Sequence, residues 1–145
     1  MARAYGVPAV YDDITELLRR ESVDFLDVMT GAAANPTFVR LAAEHGLPVI
    51  VQKPMALDLE TSREMVETCR QAGVPLMVHE NWRWERPIRQ VKEVLESGVV
   101  GDPFRAHILY ANSYPVFENQ PYLRERERFI LTDMGSHLLD VARYL

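Results

Sequence analysis

The chain has 145 residues, 48% of them hydrophobic and 26% charged, with a formal net charge of −5. That composition can bury a core, and its acidity excludes nonspecific nucleic-acid binding, which needs a basic face. No apolar run reaches the roughly 20 residues of a membrane-spanning helix, and no long apolar stretch follows Met1-Ala2-Arg3-Ala4-Tyr5 to make a secretory signal. A single cysteine, Cys69, rules out an internal disulfide and suits a reducing cytoplasm. The four histidines show no zinc-type spacing.

In chain order, Gly6-Val7-Pro8-Ala9-Val10-Tyr11 opens a design that returns at Gly46-Leu47-Pro48-Val49-Ile50-Val51 and at Gly73-Val74-Pro75-Leu76-Met77-Val78. Glycine ends a helix in the left-handed conformation, proline prevents its continuation, and an apolar run follows that reads as a strand buried on both faces of a parallel sheet. Asp24 to Thr30 adds another strand, and helices are predicted over Asp13 to Glu21, Pro36 to His45 and Leu59 to Ala72, the last capped by Asp58. The alternation predicts right-handed βαβ units and a doubly wound sheet. A solenoid is excluded because the repeats are unequally spaced.

After His79 the pattern changes. Residues 80–87 are polar and aromatic and read as a connector, with Trp82 and Trp84 as packing at a domain junction. Ile88, Val91 and Val94/Leu95 mark an amphipathic helix closed by Gly98. Phe104 to Tyr114 alternates with period two and predicts a long strand in a largely antiparallel sheet. Pro115 to Phe129 has no clean period, and its charge run Arg124-Glu125-Arg126-Glu127-Arg128 reads as a solvated surface. A final helix is expected from Asp133 to Leu145, with the chain stopping inside it uncapped, as if cut.

Lys53 follows the Val49–Val51 strand, where open α/β sheets bind ligands at the carboxyl ends of their strands. Thr30-Gly31 and His79-Glu80-Asn81 end the neighbouring strands and make a shared crevice. Asp133 and His137 are four residues apart, one turn along one face of a helix. Lysine, aspartate and histidine together can bind and deprotonate a hydroxyl. Each also has a plainer reading: a surface charge for Lys53, a helix cap for Asp133, half-buried packing for His137. The seven glycines include no pair two apart, so the Gly-x-Gly-x-x-Gly phosphate turn of a dinucleotide-binding domain is missing.

Thr30 ending one strand, Lys53-Pro54 after the next, Asn81-x-Arg83 after the third, and Asp133-x-Gly135-x-His137 at a later helix resemble the Gfo/Idh/MocA oxidoreductases, the family of glucose–fructose oxidoreductase and inositol dehydrogenase. Two positions depart from the family pattern. Gln52 stands where a glutamate precedes the Lys-Pro, and Asn35 stands where many members carry a histidine. The resemblance implies a partial Rossmann-like parallel sheet over residues 1–81 and the start of an α+β substrate and oligomerisation domain over 82–145, without the family's first βαβ unit.

It also implies hydride transfer between a secondary alcohol of a sugar, cyclitol or polyol and NAD or NADP, with no metal. Lys53, Asp133 and His137 are the implied catalytic groups. Lys53, Arg83, Asp133 and His137 would contact substrate, and Thr30, Gly31, Gln52, Lys53 and Asn81 the cofactor. A cytoplasmic homo-oligomer acting on a small molecule is expected at full length. The alternatives are a catalytically silent remnant or binding module, and a family member that performs elimination or glycoside cleavage through transient oxidation.

Overall fold

The computed structural model describes residues 2–125 and 127–145; Met1 and Arg126, the centre of the charge run, lie outside the described residues. Strands β1 (Leu26–Val28), β2 (Val49–Val51) and β3 (Leu76–Val78) form a parallel sheet in that order. Leu26, Val49 and Leu76 stand in one register row, and Val28, Val51 and Val78 in another. Helix α2 (Asn35–Glu44) links β1 to β2, and α3 (Leu59–Ala72) links β2 to β3. This is the α/β parallel architecture expected of such alternation.

One sheet face holds the core. Leu26, Val28, Val49 and Val51 pack with Val39 and Ala42 of α2 and with Met65 and Cys69 of α3. Ile14 and Leu18 of α1 (Ile14–Arg20) are packed against this cluster. The opposite face departs from the expectation of strands buried on both sides, since Asp27 and Met77 are exposed and Ile50 is half-buried. Helix α3 shows why its limits are legible. Asp58 accepts the Thr61 backbone N–H at 2.8 Å, and that bond holds its carboxyl below the usual carboxylate range. At the other end Gly73 turns left-handed with φ +69°, and the Val74 N–H closes on the Cys69 carbonyl at 3.0 Å.

Past β3, a 3-10 turn at Trp82–Trp84 leads into α4 (Arg86–Glu96). A short α5 (Val116–Asn119) follows, then a π-helical turn at Ile130–Met134 and α6 (Gly135–Tyr144). Lys92 of α4 donates to the Tyr144 carbonyl at 2.8 Å and so ties the two longer helices together.

Three expectations are corrected. Gly6 to Tyr11 is not a strand: a 3-10 turn at Ala2–Tyr5 precedes it, Val7 and Val10 are exposed, and no described strand pairs with it. Pro8 also lacks a ladder donor. Phe104 to Tyr114 forms no strand either. Its alternation is present, but no described strand pairs with it, and Phe104 is 97% exposed. The antiparallel sheet is therefore not formed among the described residues. The last helix starts at Gly135, with Asp133 in the π turn before it.

Candidate active site

The crest of the sheet is fixed by a buried amide. Asn35, at the start of α2, is fully buried, and its Oδ1 accepts the Thr30 hydroxyl at 2.8 Å. Its Nδ2 donates to the carbonyls of Gln52 and Met55, both at 3.1 Å. One side chain therefore joins the end of β1 to the turn after β2, where the Lys53–Pro54 bond is cis. The Gln52 side chain closes the same turn by accepting the Lys53 N–H at 2.9 Å.

From that turn Lys53 reaches across to the second half of the chain. Its Nζ donates to Asp133 Oδ1 at 2.8 Å and to the Asp133 carbonyl at 3.1 Å. The lysine side chain is 17% exposed and the aspartate 31%. Charge-assisted bonds of this kind are among the stronger ones in proteins.

His137 sits in the first turn of α6 and is buried. Its Nδ1 lies 2.6 Å from Glu80 Oε1, and the Trp82 ring stacks on the imidazole at 4.6 Å with an interplanar angle of 6°. A carboxylate only accepts, so Nδ1 is the nitrogen that carries hydrogen. Glu80 Oε1 also accepts the Trp82 backbone N–H at 3.3 Å. One turn further along α6, Asp140 takes the Arg83 guanidinium through Nε at 2.7 Å and through Nη2. Asp140 thereby raises the already high pKa of Arg83, whose plane also lies over Tyr144 at 5.6 Å.

The expected residues are thus mostly brought together, with partners changed. Asp133 and His137 do not bond to each other: Asp133 holds Lys53, and His137 holds Glu80. Asp133 lies in the π turn and His137 in the first turn of α6. Thr30 is committed to Asn35. Gly31 is exposed, and no heavy atom comes within 4 Å of where a Cβ would stand. Asn81 is exposed, and its carbonyl accepts the Trp84 N–H at 3.0 Å. Arg83 keeps one nitrogen, Nη1, outside its bonds to Asp140.

Sequence reasoning passed over Glu80 as a site residue and read Trp82 as junction packing. The available signal was a carboxylate placed directly after a parallel strand. An open cleft of about 1030 Å³ runs along this side, with Lys53, Glu80, Arg83, Ser136 and Asp140 on its polar wall. Among the described residues, no group of three His, Cys, Asp or Glu side chains could hold a metal ion.

An ammonium paired with a carboxylate and an imidazole backed by a second carboxylate thus stand past the carboxyl ends of a parallel sheet, groups of the kind that can bind a hydroxyl and accept its proton. Residues 1–80 match the oxidoreductase family with an NAD-binding Rossmann fold, and residues 88–145 match the GFO/IDH/MocA C-terminal domain. The chain belongs to the Gfo/Idh/MocA oxidoreductase family.

It is 45% identical over 143 residues to D-apiose dehydrogenase of Paraburkholderia graminis, covering 99% of this chain and 38% of that protein. It is 31% identical over 146 residues to myo-inositol 2-dehydrogenase of Thermotoga maritima, covering all of this chain and 42% of that one. An oxidoreductase from Agrobacterium radiobacter, solved in complex with NAD+, L-tartaric acid and magnesium, superposes with a TM-score of 0.88 at 43% identity, over 99% of this chain and 42% of that one. The chain spans about two-fifths of the length of these relatives.

The residues present fit one side of a dinucleotide. Gly31 leaves open backbone past the end of β1, and Gln52 and Lys53 follow the end of the neighbouring β2. The glycine-rich pyrophosphate turn is not among these residues.

Proposed function

We propose that the polypeptide carrying this chain is an NAD- or NADP-dependent dehydrogenase that reversibly oxidises a secondary alcohol of a sugar, cyclitol or related polyol. The observation that carries this reading is the Lys53–Asp133 pair and the Glu80-backed His137, whose Lys53 and Glu80 members line one cleft. The relatives named above, an apiose and an inositol dehydrogenase, support the substrate class. Residues 1–81 serve the cofactor and 82–145 the substrate.

A nicotinamide supplies the hydride acceptor when bound. Lys53 holds the reacting oxygen and stabilises its developing negative charge. Asp133 orients Lys53 and accepts from a neighbouring substrate hydroxyl. His137 takes the hydroxyl proton at Nε2, because Nδ1 is engaged with Glu80. Thr30, Gly31, Gln52 and Asn81 border the cofactor. Arg83 holds α6 through Asp140 and offers substrate only Nη1. Self-association belongs to the same reading, through the exposed apolar side chains of residues 104–114.

The test is a turnover screen of the purified full-length polypeptide with pentoses, hexoses and inositols and each nicotinamide cofactor, read as reduced nicotinamide formed. Turnover of at least one polyol with one of the two cofactors is expected. Cofactor binding without turnover of any alcohol overturns the reading.

A further inference from the structure

We propose that Glu80 is a positioning residue for the reaction: it fixes His137 in the tautomer whose Nε2 lone pair faces the substrate, and it holds the positive charge that the ring acquires with the hydroxyl proton. This rests on the reading of His137 as the base.

Four observations carry the assignment. The Glu80 and His137 side chains are only 12% and 8% exposed, so this pair meets in a poorly solvated place. Their contact of 2.6 Å is at the short end for a charge-assisted bond. Glu80 Oε1 is itself anchored by the Trp82 N–H, and the Trp82 ring lies flat on the imidazole, so the imidazole is held at Nδ1 and supported on one face. Finally, Nε2 makes no hydrogen bond among the described residues, yet no buried side-chain nitrogen or oxygen among them lacks a partner. Nε2 therefore keeps an opening to the outside, as a base needs.

The proton inventory is simple. The alcohol O–H bond breaks and an Nε2–H bond forms, while the Nδ1–H stays with Glu80 throughout. Glu80 gains no proton. A carboxylate in this position acts through orientation and charge, as in other carboxylate–histidine pairs.

The experiment has two arms. In the first, the histidine-labelled full-length polypeptide is observed by nitrogen NMR with His137→Gln as the assignment control. The neutral ring is expected as the Nδ1–H tautomer in the wild-type polypeptide, becoming a mixture in Glu80→Ala. In Glu80→Gln, which keeps an acceptor at the same point, the tautomer is expected to return. In the second arm, kinetics of the full-length polypeptide should show Glu80→Ala losing about 10²–10⁴ in kcat, the range a wrongly held imidazole produces, with KM for the alcohol unchanged. Glu80→Gln should recover only part of that loss, because the tautomer returns but the charge does not.

An Nε2–H tautomer in the wild-type polypeptide overturns the proposal without any mutant. So does full activity in Glu80→Gln. If His137→Gln is inactive while the Glu80 variants are not, Glu80 alone fails. If His137→Gln remains active, the base assignment itself fails, and the role of Glu80 with it.

Discussion

The two halves of the site are built in different ways. On the lysine side, support is local and uses backbone: Asn35 ties the β1 end to the carbonyls of Gln52 and Met55, within 20 residues along the chain. On the histidine side, support comes from two side-chain pairs. Glu80 to His137 and Arg83 to Asp140 each span 57 residues and form two rungs, one turn of α6 apart, between residues 80–83 and α6. The lysine side thus follows from folding the sheet. The histidine side exists only once the two segments dock, and Lys53 to Asp133 is the bond that joins the halves.

Among the variants that follow, the largest effect is expected at the joining residue. Lys53→Met in the full-length polypeptide should reduce kcat by on the order of 10²–10³, the usual cost of removing one electrostatic stabiliser. Cofactor affinity, measured by calorimetry, should be nearly unchanged, because the lysine acts on the reacting oxygen.

Asn35→Ala tests the lysine side. It leaves the Gln52 and Met55 carbonyls and the Thr30 hydroxyl, all part-buried, without this partner, for a total loss of about 1–3 kcal/mol of stability. Urea unfolding should show the loss, and kcat should fall because Lys53 is no longer braced. Asp140→Asn tests the histidine side and should cost less stability. It weakens the bonds to Arg83 by removing their charge, and its effect on kcat should exceed its effect on the fold.

The smallest effect concerns α3, remote from the site. The Asp58 carboxyl titrates below its ordinary value because it accepts the Thr61 N–H and hydroxyl. Its contribution to stability is therefore complete above the ordinary aspartate range and lost as pH falls through the depressed folded-state value. In Asp58→Asn the melting temperature should fall less steeply with acidification than in wild type, while turnover near neutral pH stays the same.

The lysine side was also the more legible half in the sequence. Helix α3 spans Leu59–Ala72 as expected because its cap, stripe and terminal glycine are all local signals. Lys53 was legible because a strand followed by Lys-Pro places it on the sheet crest. The histidine side was half legible. The spacing of Asp133 and His137 marked both residues but suggested that they bond to each other. Each instead pairs with a residue from earlier in the chain, Asp133 with Lys53 and His137 with Glu80. Nothing local in Glu80 announces a partner 57 residues away. The period-two stretch at Phe104–Tyr114 teaches the same point, since alternation specifies a face while a strand also needs a neighbour.

The central claim is that both halves act on one hydroxyl, and a double-mutant cycle in kcat for Lys53→Met and His137→Asn in the full-length polypeptide addresses it most directly. Groups that act as a unit are strongly non-additive. The double variant should therefore be little slower than the poorer single variant. If the two losses simply multiply, the lysine and the histidine serve separate steps and the account of a joined site is wrong.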